Sequence, residues 1–585
     1  MTASVSLAPG RATRIRRLLP GNGAQAAISG LVLVAVLAPV VPLVYASVQS
    51  APIYQPGRFF TVAAYRQLFT DPAFWAAARN TAEFAGMTTA GALVLGGGFA
   101  IVCGRTDVPG RRWYPGLLIA PLVLPPLGLI LGWNALYGAG GYAHDFITRT
   151  LHLPFNLSTV PGMAVLGTAV AVPVVFLVCR AALSGMDSAL EDAARSVGAP
   201  ALQVLGRVTL PMLRPALVNA GLLVFTLSIE SLGIPLVFGS PQGHDFIASY
   251  LYTQWSTAFT PGPPVVSAGA TVLLGCACVL LLLRGTLLRD QARFVTIGGR
   301  HGPAGGRGGT GSVRLPTAAR LVLTLLLGLY VAATTFAPIA ALGLSSVTTE
   351  LTPLIAPWHL LTAGNWRAIG QGEFANSITN TVEIALAGAL ITTALVALAT
   401  AVAHRSAFAF RRGLPFLLLF PRAIPGLIIG IGFFWTFLLV NPPGHALLDS
   451  LWGIMLALSV RSLTIAYFVL SAAFAAVSES LDDAARSAGA SWWAAITRIT
   501  LPILRPALFA AFILMFIAIL NDYDPALFLV TPGHELMGVT MLLSEQKGVN
   551  GPVAALAMVQ MAITVVAIAI AGRLFSTRLR GRRNA

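Results

Sequence analysis

Long apolar stretches alternate with short polar segments rich in arginine along the whole chain, and each stretch is about as long as a helix that crosses a bilayer, roughly 20 residues. Twelve can be marked. Six lie near 25–48, 80–103, 113–138, 160–182, 216–239 and 263–284, and six near 319–345, 379–403, 413–440, 451–475, 507–530 and 552–574. The pattern predicts an all-α polytopic membrane protein with about twelve transmembrane helices. The stretches at 113–138 and 413–440 are the weakest, because they carry several prolines. The first follows basic residues as a secretory leader would, but its apolar run exceeds the roughly 7–15 residues of such a signal. It is read as a retained span.

Composition agrees with the pattern. The chain is 56% hydrophobic and 10% charged over 585 residues, against roughly 25% charged in a soluble domain. Lys and Arg are retained on the cytoplasmic side of short loops, so their placement sets orientation. Arg11, Arg14, Arg16 and Arg17 precede the first span, and Arg105, Arg111 and Arg112 follow the second. Arg195, Arg207 and Arg214, the segment from Arg284 to Arg320, and Arg405, Arg411 and Arg412 come next. Arg486, Arg498 and Arg505, and then Arg573 to Arg583, complete the series. With twelve spans all of them fall on one face, which places both termini in the cytoplasm. The net charge of +16 is this bias summed, and no soluble basic segment is long enough to bind nucleic acid.

One polar segment occurs twice. Residues 191–217 and 482–508 align without a gap, and sixteen of twenty-seven positions are identical. Asp192-Ala193-Ala194 and Gly198 lead, nine residues on, into Val208-Thr209-Leu210-Pro211, while Asp483-Ala484-Ala485 and Gly489 lead into Ile499-Thr500-Leu501-Pro502. Other features recur as well. Asn80-Thr81-Ala82-Glu83 is echoed by Asn380-Thr381-Val382-Glu383, and Pro121, Pro125 and Gly132 by Pro421, Pro425 and Gly432. Gly243-His244-Asp245 returns as Gly533-His534-Glu535.

The chain therefore divides into a first repeat at 1–284 with its loop at 184–215, a Gly/Arg-rich cytoplasmic linker at 285–318, and a second repeat at 319–585 with its loop at 477–506. Gly-rich basic sequence of this kind acts as a flexible tether. Six spans per repeat is an even number, so the repeats are parallel. Within each loop a short helix-compatible stretch is broken by Gly198 or Gly489, where a backbone turn needs glycine. The chain restarts at Pro200 or Ser491, both helix-start residues. The result is an angled helix displayed to water, twice.

The pattern acidic-Ala-Ala, three residues, Gly, nine residues, Ile or Val, one residue, Leu-Pro resembles the cytoplasmic signature of permease subunits of ABC importers that work with a substrate-binding protein. Both copies fit it, with Asp192 and Asp483 where the family has glutamate and Val208 where it has isoleucine. The fused double-length arrangement is similar to ferric-iron-type permeases, as is Glu230-Ser231-Leu232-Gly233-Ile234-Pro235 followed by Gly239-Ser240-Pro241. The resemblance implies a multi-pass protein of the bacterial inner membrane and no cofactor bound by this chain. It also implies two copies of a separate ATP-binding subunit that uses ATP and Mg, docked on the two loops, and a periplasmic or lipid-anchored binding protein.

The energy source is legible without the family. A phosphate-cradling loop needs Gly-x-x-x-x-Gly-Lys followed by Ser or Thr, and the one lysine, Lys547, sits between Gln546 and Gly548. ATP, if it drives this protein, is bound elsewhere. An ion-coupled secondary transporter is the rival class, since twelve spans in two parallel halves suit it too. It would rely on ionisable groups within the membrane. Glu83, Glu230, Glu383, Arg422, Arg461, Asp522 and Asp524 are the candidates. Glu230, Arg422, Arg461, Asp522 and Asp524 are kept as candidate substrate-path residues. Arg422 and Arg461 can equally pair with the two aspartates, because their counterparts in the first half are Leu122 and Val170.

No paired carboxylates or histidine constellation suggests catalysis. Cys103, Cys179, Cys276 and Cys278 have neither disulfide-framework nor metal-ligand spacing and read as small apolar residues in or beside spans. His244 and His534 read as ordinary loop residues inherited by the repeat, with ferric ligation as the alternative. Ferric iron leads as substrate, with thiamine, polyamines and phosphonates as alternatives that the family resemblance leaves open.

Overall fold

The computed structural model describes residues 23–186, 189–257, 264–289, 315–440 and 443–581. The basic N-terminal residues Arg11 to Arg17, most of the Gly/Arg-rich linker and the last arginines lie outside the described residues.

A spanning segment has no water to satisfy its backbone, so it must bond to itself as a helix. Among the described residues, nine uninterrupted helices are long and apolar enough to cross a membrane. They are Gly23–Ser47, Pro72–Arg105, Val160–Gly185, Leu205–Ile229, Pro264–Leu287, Thr317–Ser346, Gly372–Arg405, Leu451–Ala476 and Asn550–Arg573. Three further helix pairs pass the same test together but are sharply bent, and counting each pair as one span gives up to twelve. Tyr114–Leu122 with Pro126–Tyr137 is bent by 102°, Leu414–Ala423 with Gly426–Leu439 by 109°, and Trp492–Ile503 with Arg505–Asn521 by 76°. Apart from helices, only two isolated antiparallel bridges occur among the described residues, Gln49 with Phe60 and Thr348 with Leu361.

The repeated prolines make two of the breaks. Pro125 and Pro425 take ψ 120° and 142°, outside the helical region, and Ile424 before Pro425 is extended, as a residue preceding proline prefers. The third and ninth spans are therefore each two half-helices rather than single rods. Hydropathy also misplaces two ends. The fifth and eleventh spans stop at Ile229 and Asn521 rather than near 239 and 530. The apolar tails instead fold into a π-helical turn at Pro235–Gly239 and a 3-10 turn at Ala526–Phe528. Pro235 and Pro525, each lacking an N–H, stand at the point of change.

The chain packs into two compact units that interleave along the sequence. One takes its described residues from 46–378 and 535–566, the other from 23–45, 379–534 and 567–581.

In the first unit the second and fourth spans pack with backbone close to backbone. A Cβ on Gly96 would lie 2.9 Å from the Val172 carbonyl oxygen, so glycine there permits the approach, as small residues do between membrane helices. Ala92, Ala100, Phe176 and Cys179 fill the surrounding core. Cys179 is buried as expected, whereas Cys276 is exposed, and all four cysteines are free thiols. The seventh span lies along the broken third. Tyr114 and Tyr137 donate to the Thr324 and Ala333 carbonyls at 3.1 and 3.0 Å, and Trp133 Nε1 donates to Thr334 O at 3.1 Å. Gly132 leaves room for the Pro338 carbonyl, which a Cβ would meet at 2.6 Å.

The second unit repeats the arrangement with other spans. There the first span packs against the broken ninth, Thr436 Oγ1 donates to Ala38 O, and Gly432 faces the Pro39 carbonyl in the space a Cβ would need. The glycines recurring in the sequence at 132 and 432 thus do the same work. Each admits the leading span of the other linear repeat.

The other recurring motifs also find each other. Asn80 Nδ2 donates to Asp245 O at 3.0 Å, and Thr81 Oγ1 accepts from Ile247 N at 2.9 Å. In the second unit Asn380 Nδ2 donates to Gly533 O at 3.2 Å. Asn80 and Thr81 near the start of the second span, and Asn380 near the start of the eighth, hold the Gly-His-acid turns.

Candidate functional site

The repeated loops fold as two short helices joined by a glycine turn. The leading helices are Ala189–Ser196 and Ser480–Ser487. Gly198 and Gly489 take φ +83° and +88°, the left-handed region where a Cβ is penalised. Their amides bond back to Arg195 O and Arg486 O at 2.9 and 3.0 Å, and the next amides, Ala199 and Ala490, bond to Ala194 O and Ala485 O at 3.1 and 3.0 Å. This paired closure satisfies the carbonyls left open at a helix end. The second helix starts at Ala201 or Trp492. Ser491 caps it in the second copy by accepting from Ala494 N at 3.2 Å. Both then pass through one π-helical turn, Leu205–Thr209 and Ile496–Thr500, before the following span.

Each loop is fastened from below by an arginine at the end of the long second or eighth span, Pro72–Arg105 or Gly372–Arg405. Arg105 Nε lies 3.1 Å from Glu191 Oε1 and donates through Nη2 to Leu183 O at 3.2 Å. Arg405 lies 3.2 Å from Asp482 and 3.3 Å from Glu479, and donates to Phe474 O and Val477 O. Thr209 Oγ1 donates to Glu191 at 2.8 Å and Thr500 Oγ1 to Asp482 at 2.5 Å. Glu191 and Asp482 are 2% and 7% exposed, so the anchoring acid is the one before the aspartate that the motif singles out. Asp192 and Asp483 are exposed, and Asp192 pairs only along its own helix, with Arg195 at 3.0 Å. The predicted site residues therefore form the outer surface. Ala193, Ala484 and Pro211 are exposed, Ala194, Ala485, Leu501 and Pro502 are half-buried, and Leu210 is exposed beside them. Leu190 and Leu481, equivalent in the two copies, are also exposed at 49% and 45%.

Sequence reasoning took Arg105 and Arg405 only as markers of topology. The signal that identifies them as anchors was present, since they recur 300 residues apart like the prolines, and Thr209 and Thr500 recur inside the loops. The copies are not equal. Trp492, where the first copy has Ala201, adds a hydrogen bond from Nε1 to Arg405 O at 2.8 Å.

Residues 96–285 and 395–584 each match the family described as binding-protein-dependent transport system inner membrane component. The chain belongs to that family. It is an ABC importer permease carrying the domain twice, a multi-pass protein of the inner membrane. It is 26% identical to a ferric transport system permease protein of Actinobacillus pleuropneumoniae, a match covering 78% of this chain and 65% of that one. An ABC transporter permease protein of Sinorhizobium fredii is 26% identical over 91% of this chain and 92% of its own length. The molybdenum transport system permease protein of Escherichia coli is 30% identical, over 38% of this chain and 96% of its own.

Three of the candidate membrane charges lie together. Arg461 Nη1 lies 2.6 Å from Asp522 Oδ1 and 3.0 Å from Asp524 Oδ2, with all three side chains less than one-fifth exposed. The cluster sits where the ninth span breaks, and a Cβ on Gly426 would collide with Arg461 Nη1. Arg422 is exposed and makes no close ion pair among the described residues, acting on Asp522 only at longer range, so Arg461 alone bonds both aspartates. Glu230 is buried at the end of the fifth span. Burial makes the cluster sensitive to partial removal, because one lost partner leaves a charge uncompensated at about 3–5 kcal/mol. Arg461→Leu is expected to fail in folding or membrane accumulation, and Arg461→Leu with Asp522→Asn and Asp524→Asn to recover it. Measuring detergent-solubilised melting for the single and triple variants checks this.

Proposed function

We propose that this permease imports ferric iron, taking it from a substrate-binding protein and releasing it to the cytoplasm. Energy comes from two copies of a separate ATP-binding subunit, one on each repeated loop. The observation that carries the motor half of this reading is the pair of anchored, surface-displayed helices. Their bases are locked to the transmembrane spans by Arg105 and Arg405, while their outer faces, with Leu190 and Leu481, are open. A force applied to such a helix is passed to the span that bonds it. In the orientation supported by the arginine bias, both loops and both termini are cytoplasmic. With one lysine and no phosphate-cradling sequence, hydrolysis belongs to the partner, which holds ATP and Mg.

Doubling supports the substrate. The ferric relative aligns with 78% of this chain, while the molybdenum relative aligns with 38% of it. Arg461 with Asp522 and Asp524 is read as a structural cluster at the broken span, which leaves Glu230 and Arg422, each within its own unit, as candidate substrate-path residues. The ion-coupled carrier has no use for two matched loops, and membership of the family counts against it. Uptake of labelled ferric iron by proteoliposomes holding the permease, its ATP-binding subunit and its binding protein tests the assignment. Competition by unlabelled ferric iron is expected, and none by molybdate or putrescine. Competition by either of those instead would reassign the cargo.

A further inference from the structure

A cavity of about 390 Å³ lies in the unit formed by residues 46–378 and 535–566. Its walls are the end of the broken third span, the end of the seventh span, and the turn between helix Met537–Gln546 and the last span. Counting each bent pair as one span, alternation of the spans puts these ends on the side opposite the repeated loops. In a chain with 37 basic and 21 acidic residues, the charges lining this cavity are acidic alone: Glu350 and Glu545, with no Lys, Arg or His among the lining residues. The remaining polar groups are amides and hydroxyls, from Asn134, Asn550, Ser345 and Thr349.

Glu545 is held in place by Asn134, whose Nδ2 donates to Oε1 at 2.6 Å. Burial raises the affinity of the Glu545 carboxyl for its proton, because a carboxylate drawn out of water is short of solvation. An incoming cation can supply what the water no longer does. Glu350 is exposed at the rim. A single water takes about 30 Å³ of liquid, so the cavity has space for a cation that keeps much of its hydration shell. No group of three His, Cys, Asp or Glu capable of enclosing a bare metal ion occurs among the described residues. The chemistry is that of brief electrostatic holding rather than tight ligation.

We propose that this cavity is a vestibule for a cation, either a hydrated multivalent metal ion or an organic polycation, and that it disfavours oxyanions. Its service as a delivery point rests on the importer reading and the proposed orientation, which puts it on the outer face. The binding itself rests on neither.

Terbium(III) is a suitable probe, since Trp133 adjoins Asn134 and can sensitise its emission. The full chain in phosphatidylcholine nanodiscs is titrated with terbium(III) alone. Saturable sensitised emission is expected, with apparent affinity about tenfold weaker in Glu545→Gln and weaker again with Glu350→Gln added, as lost Coulomb attraction dictates. Glutamine keeps an acceptor for Asn134, and exposed Glu350 has no fold to support, so both variants are expected to melt as the parent does. Displacement of terbium by ferric citrate supports a metal cargo, and displacement by spermidine supports an organic one. Emission indifferent to both substitutions, or molybdate binding that they abolish, overturns the proposal. A permease that takes up iron without ATP would overturn the importer reading and leave the terbium result standing.

Discussion

Valine at both Gly198 and Gly489 is expected to abolish ATP-dependent uptake while the protein still accumulates in the membrane. Asparagine at the same two positions should retain most of it. The difference isolates the backbone. No atom lies within 4 Å of a Cβ built on either glycine, so the substitution meets no steric wall. The cost comes from φ +83° and +88°, a region in which an L-residue loses roughly 1–2 kcal/mol, asparagine less than most. Each kcal/mol acts on the population of the closed turn, with about 1.4 kcal/mol corresponding to tenfold. Two loops that must both be formed compound the loss. Uptake by the paired variants, normalised to membrane content, checks this. Equal activity for valine and asparagine would show that the turn carries nothing.

Arg405→Ala is expected to be the most damaging single change outside the membrane core. Arg405 is 4% exposed and joins the Asp482 and Glu479 carboxylates to the Phe474 and Val477 carbonyls. Its removal leaves Asp482 buried beside an empty site, a loss of about 3–5 kcal/mol. That is enough to release the second loop from its span without unfolding the other spans. Lysine is not expected to rescue it, since a single ammonium lacks the planar fork that reaches acids and carbonyls at once. Arg105→Ala should do less, because Arg105 is 16% exposed and joins fewer partners. Limited proteolysis at the loops, compared with ATP-dependent uptake, distinguishes the two. Faster cleavage near 482 than near 191, with uptake lost in Arg405→Ala, is the expected result. An unaltered cleavage pattern would contradict the anchoring role.

The sequence was most legible where a physical requirement leaves a periodic or repeated trace. Bilayer thickness imposes long apolar runs, and these marked the spans. Duplication preserved Gly132 and Gly432, Asn80 and Asn380, and the loops themselves, and each recurrence corresponds to a contact in the structure. What hydropathy could not register was shape within an apolar run. Pro125 and Pro425 turn two spans through more than 100° without lowering mean hydropathy enough to split them, and the helices ending at Ile229 and Asn521 stop while the apolar sequence continues. The loop motif was visible, but its supports were not. Asp192 drew attention as the family's acidic position, while Glu191, one residue earlier, points inward to Arg105. A single residue along a helix turns a side chain by about 100°. Burial of one acid and exposure of its neighbour is a property of helix phase against the span, and only the fold sets that phase. The Arg461 cluster was half legible, because composition identified its members but not which arginine reaches both aspartates.

The central claim is that an external ATPase drives this permease through the two loops. Proteoliposomes containing the permease, its ATP-binding subunit and its binding protein can be energised either by trapped ATP or by an imposed proton gradient, with initial uptake of ferric iron recorded for each. The account predicts uptake with ATP, unaffected by a proton ionophore, and none with the gradient alone. Uptake driven by the gradient without ATP, and collapsed by the ionophore, would contradict it.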